Sequence, residues 1–165
     1  MSKLSKYPRG GFTLIEVLVV VLIIGILAAI ALPQYKMAVL KTKLARAKQT
    51  VSDMRKAYEM YYLVNGVYPT KFSELDFASK FDDSNIINMG DYTCKINDTW
   101  KEIICSVDNR IEYYFNFYTS DSNRITVYCS SFSIDTADIY NRVCQQDTGR
   151  VTPSYCSSSY CTYSY

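Results

Sequence analysis

Between Phe12 and Leu32 only Thr13 and Glu16 interrupt an otherwise unbroken apolar run. As a helix rising about 1.5 Å per residue, this run reaches roughly 32 Å, enough to cross a hydrocarbon core of about 30 Å. A single membrane span is expected over residues 12–32. Ahead of it, residues 1–11 carry Lys3, Lys6 and Arg9 and no acid. A basic leader, an apolar segment and Ala29-Ile30-Ala31 also describe an ordinary secretory signal cut after Ala31. Glu16 argues against that description, because a carboxylate at the bilayer centre costs on the order of 3 kcal/mol and a disposable signal has no use for it. Glu16 therefore needs a partner.

The rest of the chain has a different chemistry. All six cysteines, Cys94, Cys105, Cys129, Cys144, Cys156 and Cys161, follow the apolar run, and the chain has no histidine. Without His, the Ser-His-Asp and Cys-His arrangements and His-bearing zinc sites are excluded, and no enzyme is expected. Lys36, Lys41, Lys43, Arg46 and Lys48 follow the span closely, so charge counting alone would place the C-terminal side in the cytoplasm. The cysteines decide otherwise: they are best explained by disulfides, which puts the C-terminal part outside the cytoplasm and the leader inside.

The segment Gly10-Gly11-Phe12-Thr13-Leu14-Ile15-Glu16, the apolar run with Gly25 and Pro33, and Asn65-Gly66-Val67-Tyr68-Pro69 together resemble a type IV pilin precursor. The resemblance covers residues 3–69; the remainder matches only in layout. It implies cleavage between Gly11 and Phe12 by a prepilin peptidase, N-methylation of Phe12, residence in the inner membrane as a single pass with the N-terminus cytoplasmic, and polymerisation of the apolar helices into an extracellular filament of identical subunits by the pilus assembly machinery. The chemistry is consistent with this. Cleavage before the apolar run leaves the run on the mature protein and creates an α-amine of reference pKa about 8. In a filament core Glu16 can pair with the Phe12 amine of a neighbour, which removes two isolated charges. Pro33 deletes a helix hydrogen bond and Gly25 lowers helix propensity, so the turns between them can bend on packing.

Beyond Pro33 the pattern turns amphipathic. Leu40, Leu44, Ala47, Val51, Met54, Tyr58 and Tyr61 recur on one helical face, which with the apolar run predicts one long helix over residues 12–64. The basic residues between Lys36 and Lys56 are expected on a solvated face or in ion pairs between subunits, rather than against nucleic acid. Asn65-Gly66 and Pro69 end the helix. Ser73-Glu74-Leu75 predicts a short helix reaching Lys80. Period-two runs predict strands at Tyr92–Ile96, Glu102–Val107, Ile111–Tyr118 and Arg124–Cys129, joined by Asn97-Asp98, Asp108-Asn109 and 120–123 as turns. A further helical turn or two is expected over Thr136–Val143, then a Ser/Tyr/Cys-rich tail with too little apolar content to fold alone. The expected fold is α+β: a long helix packed on a four-stranded antiparallel sheet, with residues 65–165 forming the head.

Six cysteines allow many connectivities. Local bridges are expected: Cys94–Cys105 across a predicted hairpin, Cys129–Cys144 from the last strand to the next segment, and Cys156–Cys161 within the tail. A metal–thiolate cluster is the alternative, but no C-x-x-C pair is present, and neither metal nor cofactor is expected. Tyr58 and Tyr61 are expected in the core, and Tyr155, Tyr160, Tyr163 and Tyr165 exposed or at an interface. Asp82-Asp83 reads as a solvated loop. Competing with the pilus subunit are a pseudopilin of a type II secretion system, whose leader is of the same kind, and a minor tip pilin acting as an adhesin or DNA-binding module.

Overall fold

The computed structural model describes residues 11–76, 84–117 and 126–165. Two compact units divide at Lys36 and Met37. Helix α1 spans Leu14–Asn65 and contains Pro33. In the first unit the helix is covered by nothing: every described apolar side chain up to Leu32 is exposed. This helix is the one segment among the described residues long and apolar enough to cross a membrane.

In the second unit, Leu40, Leu44, Ala47, Val51, Met54 and Tyr58 of α1 are buried, at the spacing that keeps side chains on one helical stripe. Tyr61 is half-buried and packs against the same core. Gly66 closes the helix with φ 73°, a conformation a side chain would strain, and its N–H donates to the Tyr62 carbonyl at 2.8 Å. Stacked rings hold this end: Tyr58 lies 4.5 Å from Phe117 and 5.2 Å from Tyr68, which lies 4.3 Å from Tyr62. Of the expected helix at Ser73-Glu74-Leu75, only a single 3-10 turn, Phe72–Glu74, is present; residues 77–80 lie outside the described residues.

The stripe faces an antiparallel sheet. Strands β1 (Ile86–Asn88), β2 (Tyr92–Asn97), β3 (Glu102–Val107), β4 (Ile111–Asn116) and β5 (Thr126–Ser131) precede helix α2 (Ile139–Thr148) and strands β6 (Tyr155–Cys156) and β7 (Cys161–Ser164). Their order is β1-β2-β3-β4-β5-β7-β6, so the sheet has seven strands rather than the expected four. The four expected strands are present as β2 to β5 in consecutive antiparallel pairing. Tyr118, Arg124, the 120–123 turn and Asp82-Asp83 lie outside the described residues. The Asp108-Asn109 turn has φ of 52° and 53° and an Arg110 N–H to Val107 carbonyl bond of 3.0 Å, the geometry that matches the twist of a two-residue hairpin.

The tail departs most from expectation. Expected to have too little apolar content to fold alone, it forms a hairpin whose second strand pairs with β5 in the register Tyr128↔Ser164 to Ser131↔Cys161. Tyr163 is fully buried rather than exposed, and its hydroxyl donates to the side-chain oxygen of Asn141 on α2 at 3.1 Å. The low apolar content misleads because neighbouring strands supply the ladder and the core; the tail needs to bury few side chains of its own. Helix α2 also starts later and runs further than the expected 136–143. Asp138 caps it by accepting from the Tyr140 N–H at 3.0 Å, and Gly149 ends it with φ 73°.

Three disulfides staple the head. Cys94–Cys105 joins directly opposed residues of β2 and β3, Cys129–Cys144 ties β5 to α2, and Cys156–Cys161 closes the β6–β7 hairpin. Three basic residues of α1 reach acids beyond the helix, where a solvated face or pairs between subunits were expected. Lys43 reaches Asp108 at the hairpin tip (2.7 Å), Arg46 reaches Asp91 (2.6 Å) and Lys48 reaches Asp147 of α2 (2.9 Å). The Lys48 ammonium also sits 4.8 Å from the Tyr165 ring centre, and the Tyr165 hydroxyl bonds Asp147. The last residue of the chain thus returns to α1.

Candidate functional site: the N-terminal end of the apolar helix

The residues singled out for processing and assembly lie at the start of α1. Gly11 and Phe12 precede the helix, and Phe12 is 87% exposed. The leader residues Lys3, Lys6 and Arg9 lie outside the described residues.

Thr13 is the first residue whose carbonyl enters the helix ladder, accepting from the Val17 N–H at 3.3 Å. Its own N–H donates to Glu16 Oε2 at 2.8 Å and its hydroxyl donates to the same oxygen at 2.7 Å, while the Glu16 N–H approaches the Thr13 hydroxyl oxygen at 3.3 Å. This is a reciprocal capping box, which satisfies two of the amides that a helix start leaves without a partner. It also places a negative charge at the positive end of the helix dipole. In an apolar medium those amides would otherwise be costly, so Glu16 has a use in the isolated chain as well as in any assembly. The T-x-x-E spacing ahead of an apolar run is the sequence signal for this cap, and the sequence reading did not use it.

A carboxylate offers about four acceptor positions, and Thr13 occupies those of one oxygen. Oε1 is left available to a further donor of positive charge. Gly25 and Pro33 both lie within α1, and a side chain added at Gly25 would meet nothing within 4 Å. Nothing among the described residues requires glycine there for packing. Among the described residues no group of three or more His, Cys, Asp or Glu side chains is placed to hold a metal ion.

Residues 7–32 match the prokaryotic N-terminal methylation motif. The chain is similar to the fimbrial protein EcpC of Eikenella corrodens, 44% identical over 64 residues, which is 39% of this chain and 42% of that protein. It is similar to the type IV major pilin protein PilE of Neisseria gonorrhoeae, 38% identical over 79 residues, covering 48% of this chain and 45% of that one. The type II secretion system core protein G of Pseudomonas aeruginosa is 38% identical over 77 residues, 47% of this chain and 54% of that protein. The chain spans about half the length of these curated relatives. No solved structure matches it. The motif at the N-terminus, the long helix followed by an antiparallel sheet, and the pilin and fimbrial relatives together show a chain similar over about half of its length to type IV pilins.

Proposed function

We propose that the chain is a structural subunit of a type IV pilus. A prepilin peptidase cuts between Gly11 and Phe12, the new Phe12 amine is methylated, and residues 12–32 hold the subunit in the inner membrane until the assembly machinery draws it into an extracellular filament. The observation that carries this reading is the contrast along α1. The stretch to Leu32 is apolar on every side and exposed, while the stretch from Leu40 is buried on one side by the chain's own sheet. Lipid before assembly and neighbouring copies after it would supply the missing cover.

In the filament core the free oxygen of Glu16 takes the positively charged Phe12 amine of an adjacent subunit, setting the register between copies. The pair is favourable there because an isolated charge among apolar side chains costs several kcal/mol. Gly25, with the lowest helix propensity of the ordinary residues, and Pro33, with no N–H to give, let the intervening turns yield as subunits pack.

The similarity to a secretion-system core protein, over 47% of the chain, favours a second reading, a pseudopilin. Shearing separates the two. Abundant protein in the sheared surface fraction, beginning at methylated Phe12, is expected for a pilus subunit. Protein confined to the membrane fraction would point to the pseudopilin, and a chain beginning at Leu32 would remove both readings.

A further inference from the structure

The sheet has a second face, turned away from α1. Alternation along β3 and β4 sends Ile103, Cys105, Tyr113 and Phe115 into the core and leaves Glu102, Ile104, Glu112 and Tyr114 on the other side. Here the surface forms a cavity of about 340 Å³, of a size to take a small molecule. Its aromatic walls are Trp100, Tyr114, Phe132 and Tyr160, and its charges are the carboxylates of Glu102 and Glu112. No basic side chain lines it among the described residues.

The carboxylates are set for a cation. Asn116 Nδ2 donates to Glu102 Oε1 at 2.9 Å and Asn97 Nδ2 lies 3.5 Å from Oε2; these neutral donors orient the group without cancelling its charge. Burial pushes the Glu102 carboxyl up, the Asn116 bond and the charge of Lys95 offset part of that, and the charge of Glu112 adds to it. Lys95 stands at the edge, 3.7 Å from Glu112 and 47% exposed, too distant to be a hydrogen bond. Trp100 is 60% exposed on the β2–β3 turn. Aromatic faces beside two carboxylates that share a single lysine at the edge attract organic cations, whose charge meets the ring quadrupole and whose carbons shed water against the rings.

The geometry points to a binding site for a small organic ammonium ion in this cavity, with Glu102 and Glu112 supplying the charge and Trp100, Tyr114, Phe132 and Tyr160 the enclosing rings. A neutral sugar could also stack on these rings, but the two carboxylates without a lining base favour the cation.

Trp100 is the only tryptophan, so its emission reports on the cavity directly. The full-length chain in polyoxyethylene micelles is titrated with choline, with neohexyl alcohol, the uncharged carbon isostere, and with methyl glucoside. Choline is expected to change the emission saturably with a dissociation constant of roughly millimolar order. The other two are not expected to saturate. Glu102→Gln keeps an acceptor for Asn116 but removes the charge, and should weaken choline about tenfold. Glu112→Gln, whose partner Lys95 lies at the edge, gives a second variant should the first fail to fold. Lys95→Met should tighten binding about twofold by removing a competing cation. Absence of saturation, equal binding of the uncharged isostere, saturation by the glucoside instead, or unchanged choline affinity in a folded Gln variant would overturn the assignment.

Discussion

Residues Leu14–Leu32 and Leu40–Tyr58 belong to one helix and have the same backbone, yet they are stable for opposite reasons. In the second stretch a stripe of apolar side chains is buried by the sheet, and the rest of the helix surface carries lysines and arginines, three of which reach acids within the head. In the first stretch every apolar side chain is exposed and the lone acid caps the helix with one of its two oxygens. What covers them distinguishes the two. A stretch that its own chain leaves bare is a surface for lipid or for other copies to cover, as the proposed function requires.

The comparison predicts unequal responses to the same mutation. Leu44→Ala removes a fully buried side chain and should cost the head about 2–5 kcal/mol of unfolding free energy, read by denaturant titration of Trp100 emission in non-ionic micelles. Leu22→Ala, at an exposed position of the first stretch, should leave that transition where it was. An equal loss from both would break the distinction between the two stretches.

Next in size are the staples of the head. Replacing Cys129 and Cys144 by Ser opens a loop of sequence separation 15 and should cost about 3 kcal/mol, whereas replacing Cys156 and Cys161, of separation 5, should cost about 2 kcal/mol. Neither change should affect membrane insertion, measured by carbonate extraction. Smaller again is Lys48→Ala, which removes the Asp147 ion pair and the contact with the Tyr165 ring; a loss of about 1 kcal/mol is expected, detectable as a lower unfolding midpoint. The smallest effect is expected for Tyr58→Phe. Among the described residues the Tyr58 hydroxyl has no hydrogen-bond partner, and burial pushes its pKa up, so deleting it should shift stability by less than about 0.5 kcal/mol in either direction. A large loss would mean that this oxygen is bonded after all.

How far these features could be read from residues alone depended on how local their causes are. The buried stripe of α1 was legible because a period near 3.6 is written in consecutive turns, and β2 to β5 because alternation and turn residues are local signals. The β6–β7 hairpin was not. Cys161-Thr162-Tyr163-Ser164 alternates, but its stability comes from β5 beside it, from α2 above Tyr163 and from the Ser130–Thr162 hydroxyl contact of 2.8 Å, all distant in sequence. Strand β1, three residues long, has too few positions to show a period. At the site, the need of Glu16 for a partner was legible from its cost in an apolar run. Its nearest partner, Thr13, follows from the unpaired amides of a helix start, a cause that charge alone does not reveal.

The most direct measurement is a map of sheared filaments at a resolution that places side chains. In the proposed fibre the Glu16 carboxylate of one subunit lies within hydrogen-bond distance of the Phe12 amine of its neighbour, surrounded by the apolar stretches of adjacent helices. Filaments in which that carboxylate faces water, or in which the stretch up to Leu32 lies outside the core, would contradict it.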